Sequence, residues 1–277
     1  MFTGVCLYFY LFIYLRKREI VNLLFSVLSR EFCCPRSVVV VVRHGSEIIG
    51  GKEVEPHSLP FMAHVRSERS ACGGILIDPQ WVLTAAHCKD MTIVILGAHS
   101  LRNVEVDSWQ VREVEKRFPH PGYYSPFKGN DLTLLKLKEP VMLTKTVKCL
   151  QLGNTVKEPP AGSKCMVAGW GRTESNQPSD VLMSANVTVI DRETCNSYYY
   201  YTVITSDMIC AGSTGKKKVD VCRGDSGGPL LCDGVLVGAT SFGRTCESKE
   251  NVPGVYAFVS NKQLSWIKET MKSYEMP

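Results

Sequence analysis

What most limits the fold is a set of short apolar runs fenced by turn residues. Gly74–Ile77, Trp81–Thr84, Thr92–Leu96, Leu132–Leu137, Cys165–Ala168, Asn186–Ile190 and Val235–Ala239 are each four to six residues long. Clusters of Gly, Pro, Asn and Ser stand between them. Short strands at such regular spacing predict an all-β barrel or sandwich. One stretch differs. Asn261–Lys272 begins with a residue type that caps helices and spaces Leu264, Ile267 and Met271 along one helical face, so it reads as a terminal helix. A chain of 277 residues, 44% hydrophobic, can bury a sizeable core in one domain or two small ones. There is no internal sequence repeat and no low-complexity tract.

Charge and cysteine usage exclude several function classes. The net charge is +5, but the first 47 residues hold six basic and three acidic side chains, leaving 26 against 24, or +2, for the rest. That is no footprint for nucleic acid. Twelve cysteines favour an oxidising compartment, and no clustered Cys-x-x-Cys pairs suggest a metal. The N-terminus is unusual. Val5–Leu15 has the length of a signal-peptide apolar core, yet Arg16-Lys17-Arg18 follows it instead of preceding it. Residues 1–47 read either as an unusual leader or as a wrongly assigned first exon.

The stretch Asp220-Val221-Cys222-Arg223-Gly224-Asp225-Ser226-Gly227-Gly228-Pro229 could, alone, be an ordinary glycine-rich turn. It is accompanied by Thr84-Ala85-Ala86-His87-Cys88 and by Gly129-Asn130-Asp131-Leu132. A serine hydroxyl is a weak nucleophile near neutral pH and needs a neighbouring base. Histidine titrates in the right range to take that proton and return it. A buried carboxylate holds the imidazole in the useful tautomer. In these frames, and in the order His, Asp, Ser, the chain resembles the trypsin-like serine peptidases of the chymotrypsin fold, from Ile48 to about Lys272.

The resemblance implies two antiparallel six-stranded Greek-key β-barrels with a C-terminal α-helix and the active site between the barrels. His87 and Asp131 would come from the first barrel and Ser226 from the second, with a crossover near residues 153–164. The division would be a leader or propeptide over 1–47, a peptidase domain over 48–272 and a tail over 273–277. Gly224 and Ser226 match the oxyanion-hole donors. Glu47-Ile48-Ile49-Gly50-Gly51 resembles the activation junction, where a new amino group at Ile48 would pair with Asp225. Glu47 in place of Lys or Arg resembles the granzyme pattern, in which an acidic pro-dipeptide (here Ser46-Glu47) is removed.

The family's disulfides carry over as Cys72–Cys88, Cys165–Cys232, Cys195–Cys210 and Cys222–Cys246. Cys6, Cys33, Cys34 and Cys149 are left. Cys149 reads equally as a partner of Cys33 or Cys34, as a free thiol, or as a bridge between chains. Asp220 matches the base of the S1 pocket, which takes the residue before the scissile bond. Gly243 and Gly254 match its walls, and Ser241 lies beside the triad aspartate. This set implies cleavage after Arg or Lys, with Val221, where trypsins usually have Ser, shifting the preference toward Arg. Ala98 stands where trypsin's calcium loop has Glu, so no structural metal and no cofactor are expected.

Leu96-Gly97-Ala98-His99-Ser100, Val167–Thr173 and Thr240–Gly243 resemble granzymes A and K. The dimer-forming cysteine of granzyme A is absent from Phe118-Pro119-His120-Pro121-Gly122-Tyr123, so a monomer is expected. The resemblance further implies serpin-type inhibitors. Lys216-Lys217-Lys218 reads as a solvated loop tip or as a proteoglycan contact. Asn186-Val187-Thr188 is the chain's one glycosylation sequence. His44, His57, His64, His99 and His120 have no catalytic frame. Two other readings stand beside the granzyme: a digestive or plasma trypsin-like protease, and an inactive homologue used as a binding module.

Overall fold

The computed structural model describes residues 50–173, 176–214, 221–243 and 251–275. It opens on a two-residue strand, β1 (Lys52–Glu53). The first barrel follows: β2 (Met62–Arg66), β3 (Ala71–Asp78), β4 (Trp81–Thr84), β5 (Ile93–Leu96), β6 (Gln110–Pro119) and β7 (Thr133–Leu137). Its order is β2-β3-β4-β7-β6-β5, closed by pairing of β5 with β2. The second barrel holds β8 (Lys164–Gly169), β9 (Met183–Ile190), β10 (Met208–Gly212), β11 (Pro229–Cys232), β12 (Val235–Phe242) and β13 (Gly254–Phe258). Its order is β8-β9-β10-β13-β12-β11, closed where β11 meets β8, with β1 added on β9. Both barrels therefore share one antiparallel Greek-key order, although the sequence carries no repeat.

The apolar runs are continuous because several strands are buried on both faces. In β3 and β4, Leu76 and Val82 fill the first barrel with Val65, Val94 and Leu135. The residues between them, Ile75, Ile77, Trp81 and Leu83, face outward into a second cluster with Leu231, Leu236, Ala257 and Ile267. That cluster packs the first barrel against the second and against the last helix. Each such side chain contributes roughly 1.5–3 kcal/mol on burial.

The short helix α1 (Arg192–Asn196) is capped by Asp191, whose side chain accepts from Thr194 N–H at 2.8 Å. The terminal helix α2 (Asn261–Glu275) runs three residues past Lys272. Its last turn gains Tyr274, whose ring sits edge-on to Trp81 and Phe118 at 5.8 and 5.4 Å, and whose hydroxyl donates to Glu115 at 2.7 Å. Asn261 does not use its side chain on its own helix. Its Oδ1 accepts from Val156 N–H at 2.8 Å, fastening the segment between β7 and β8.

Three disulfides form: Cys72–Cys88, Cys165–Cys232 and Cys195–Cys210. Cys222 is also disulfide-bonded, and its expected partner, Cys246, lies outside the described residues. Cys149 is the free cysteine among the described residues; burial and then Asp78 push its thiol up to about 11. Cys6, Cys33, Cys34 and the Lys216–Lys218 stretch lie outside the described residues.

Candidate active site

β4 delivers His87. Thr84 closes the strand and its hydroxyl donates to Gly73 O at 2.7 Å. The chain then turns, with Cys88 N–H bonded to Ala85 O and Cys88 bridged to Cys72 of β3. Arg117 of β6 donates from Nη2 to Ala86 O, supporting the turn from below. Nothing in the local sequence pattern marks that contact.

Asp131 arrives from the turn before β7, where Gly129 and Asn130 take positive φ of 89° and 54°. It is 1% exposed. Its Oδ1 accepts the His87 backbone N–H at 2.9 Å, and its Oδ2 stands 2.7 Å from His87 Nδ1. The Ser241 hydroxyl of β12 donates to the same Oδ2. A buried carboxylate so surrounded by donors accepts the imidazole proton at Nδ1 and leaves Nε2 as the free base.

Ser226 belongs to the turn before β11. Gly73 N–H donates to Ser226 O at 2.8 Å, and Gly227 N–H donates to Thr240 O at 2.7 Å. The first of these bonds ties the serine turn to β3 across the cleft. The Ser226 side chain is half-buried and makes no hydrogen bond to His87 in this structure. Such bonds are often long before substrate binds and tighten in the complex. The N–H groups of Gly224 and Ser226 find no acceptor among the described residues. Gly224 has a φ of 101°, and a Cβ there would lie 3.1 Å from Gly171 Cα.

Asp225, between these two donors, turns inward and is fully buried. Gly171 N–H donates to its Oδ1 at 2.8 Å and Cys222 N–H to its Oδ2 at 2.9 Å. Burial raises its carboxyl to about 6, and the two backbone donors only partly counter that. Gly169 and Gly171 make the space, since a Cβ on either would stand 2.1 or 2.4 Å from the carboxyl group. No ion pair reaches Asp225 among the described residues. Ile48, named for that role, lies outside them.

Of the residues matched to the specificity pocket, Ser241 is buried, and a Cβ on Gly243 would lie 3.8 Å from Gly254 Cα, so the two glycines face each other. Asp220 lies outside the described residues, and Val221 is buried in the second barrel's core. Next to the glycines in the chain stands an edge-to-face aromatic cluster that sequence reasoning missed. Phe242 meets Phe127 at 5.0 Å and Tyr199 at 5.6 Å, and Tyr199 donates to Pro253 O at 2.6 Å. Its members are 43 residues or more apart, too far for any local pattern to reveal. In the loop after Ala98, Glu105 accepts from His99 N–H at 2.7 Å and from Trp109 Nε1–H at 3.3 Å.

The family profile described as Trypsin matches residues 48–267. Bovine (Bos taurus) granzyme A is 45% identical over 231 residues, covering 81% of this chain and 88% of that protein. Human (Homo sapiens) kallikrein-4 is 39% identical, covering 82% and 89%. Dog (Canis lupus familiaris) chymase is 38% identical, covering 87% and 98%. Among solved structures, neuropsin, a serine protease expressed in the limbic system of mouse brain, superposes with a TM-score of 0.71 at 38% identity, covering 80% of this chain and 98% of that one.

Proposed function

The chain belongs to the trypsin family of serine peptidases, and we propose that it is a granzyme-like endopeptidase cleaving after Arg or Lys. The observation that carries the chemistry is the 2.7 Å bond from His87 Nδ1 to buried Asp131. With Nδ1 so engaged, His87 Nε2 takes the proton of Ser226 Oγ as that oxygen attacks the scissile carbonyl. The tetrahedral oxyanion is met by the Gly224 and Ser226 N–H groups. His87 then hands the proton to the leaving amine. Water repeats the sequence on the acyl-enzyme and restores Ser226.

Specificity rests on Asp220, six residues before Ser226, and on the facing glycines Gly243 and Gly254, which leave room for a long cationic side chain. A buried carboxylate without a cation is costly, so Lys or Arg is favoured there. The same argument supports activation. Removal of Ser46-Glu47 would free an amino group at Ile48 to meet Asp225, whose carboxyl burial raises to about 6. The similarity to bovine granzyme A supports a granule or extracellular enzyme inhibited by serpins, and the lack of granzyme A's dimer-forming cysteine in Phe118–Tyr123 supports a monomer.

The test is hydrolysis of small P1-Arg, P1-Lys, P1-Phe and P1-Asp substrates by the chain begun at Ile48, beside a Ser226→Ala control. Turnover of the Arg and Lys substrates alone, lost in the control, is expected. Preference for P1-Phe would assign the pocket to the chymase type, and no turnover by a folded chain would leave a binding module.

A further inference from the structure

The C-terminal helix reaches the catalytic carboxylate through both of its chain neighbours. Gln263, in the first turn of α2, is 0% exposed. It closes the frame Ser260-Asn261-Lys262-Gln263, whose spacing is that of a capping box, where the glutamine reaches back to the cap. Here the Ser260 hydroxyl donates to Gln263 Oε1. That bond fixes the amide and turns Nε2 away from the helix, where it donates to Asn130 Oδ1 at 3.0 Å and to Asp207 Oδ1 at 3.3 Å. The carbonyl and both amide protons are thereby used, as burial of an amide requires. Asn130 immediately precedes Asp131 and holds a φ of 54°, a left-handed conformation that needs support from its surroundings. On the other side of Asp131, Leu132 O accepts from His120 N–H at 2.9 Å, and the His120 ring lies edge-on to Trp266 of α2 at 4.9 Å.

We propose that Gln263 is a positioning residue of the triad: by holding Asn130 it fixes the turn that aims the Asp131 carboxylate at His87. The role presupposes that the chain is a serine peptidase, as proposed. Asp131 meets His87 twice, at its backbone N–H and at Nδ1, so a rotation of the turn moves both bonds together. Gln263 itself touches neither substrate nor the reacting atoms. Without its amide, Asn130 Oδ1 and Asp207 Oδ1 lose this donor and the turn is freed on one side, while the contact of Trp266 with His120 still holds the other. The carboxylate is then misaimed in a folded protein. Misaiming acts where the imidazolium must be stabilised, in the transition state, and leaves the contacts that bind the substrate in its ground state.

The test compares Gln263→Met, which keeps length and burial and loses the amide, with Ile267→Val, further along α2 in the cluster between the barrels. Both are made in the full chain processed at Ile48 and assayed where urea denaturation shows each to be fully folded. Gln263→Met should lower kcat about tenfold with KM within about twofold. Ile267→Val should destabilise the fold and leave kcat unchanged. Ser260→Ala unfastens the amide without removing it; it should lower kcat less, and it serves where Gln263→Met fails to fold. Asn130→Gly keeps the left-handed backbone and loses the side chain. It should lower kcat alike, and combining it with Gln263→Met should lower kcat no further than either alone. Unchanged kcat in Gln263→Met, an equal loss in Ile267→Val, or additive losses in the double variant overturns the proposal. A second readout needs no turnover. The proton in the 2.7 Å bond between His87 Nδ1 and Asp131 resonates far downfield in ¹H NMR. In a Ser226→Ala background, Gln263→Met should speed its exchange with water several-fold, and Ile267→Val should not. Unchanged exchange in Gln263→Met overturns the proposal. Absence of turnover by the unsubstituted chain would remove the peptidase reading, with the resonance still deciding what seats Asp131.

Discussion

Gly227 stands against Thr84 with no space for a side chain between them. A Cβ at Gly227 would lie 2.0 Å from Thr84 Oγ1, 2.6 Å from Gly73 O and 2.7 Å from Ala85 N. Its φ is 78°, where L-residues are strained. This contact brings the turn holding Ser226 against the end of β4, three residues before His87. It sets the width of the catalytic cleft with backbone, which yields far less than a flexible side chain.

Gly227→Ala should therefore damage the site before the fold. Strain and clash together should cost roughly 2–4 kcal/mol of stability. Hydrolysis of a P1-Arg substrate should fall by more than that loss explains, because the serine is displaced from His87. Urea denaturation and kcat/KM measured on one preparation separate the two. Unchanged kcat/KM would mean that the contact does not position Ser226.

Asp131 receives three donors, and they differ in consequence. Asp131→Asn would favour the wrong imidazole tautomer, lowering kcat on the order of 10⁴-fold with the fold intact. Ser241→Ala removes a single hydrogen bond to a charged group, worth about 1.5–3 kcal/mol. It should lower kcat/KM by roughly ten- to a hundredfold while leaving His87 bonded to Asp131. Equal losses in the two variants would show that Ser241, as much as the carboxylate, orients the imidazole.

Much of this arrangement was legible because it is local. The frames around His87, Asp131 and Ser226 are contiguous, and β3, β4, β5, β7, β8, β9 and β12 are apolar enough to stand out. β6 was not legible. Arg112, Glu113, Glu115, Lys116 and Arg117 make it read as loop, and only pairing with β5 and β7 holds it as a strand. β2 carries His64 and Arg66, which break its apolar pattern. Arg117 reaching Ala86, and Asn261 reaching Val156 instead of capping its own helix, are long-range choices that neighbouring residues do not encode.

Asp225 gives a pH dependence of unusual sign. Its folded pKa of about 6 lies above the ordinary 3.8, so the native state holds a proton that the unfolded state releases between those values. Stability from this group is therefore full below the lower value and is lost as pH rises through the upper one. The difference is about 3 kcal/mol at 1.36 kcal/mol per unit. In the unprocessed chain, Asp225→Asn should gain on the unsubstituted protein by up to that amount between pH 4 and 7, read by urea denaturation at both. Processing at Ile48 should abolish the gain, since an arriving ammonium favours the charged carboxylate. A gain that persists after processing would mean that Ile48 does not reach Asp225.

Lys136 poses the last question, because it is a cation 5% exposed with no anionic partner among the described residues. Its ammonium lies 4.9 Å from the centre of the Trp81 ring and 5.3 Å from that of Tyr274. Ring faces carry negative charge density, and for a desolvated cation such contact is worth about 2 kcal/mol. Trp81 is fully buried beside Lys136 in the first barrel, and the Tyr274 ring of α2 meets both, so the three together tie the C-terminal helix to that barrel. A double-mutant cycle of Lys136→Met with Trp81→Leu isolates the contact. Each single change should destabilise, and the coupling should come to about 1–2 kcal/mol in urea denaturation. Tyr274→Leu should weaken the Lys136→Met effect, whereas Tyr274→Phe, which keeps the ring and loses only the bond to Glu115, should not. A coupling near zero would leave Lys136 held by its aliphatic stem alone.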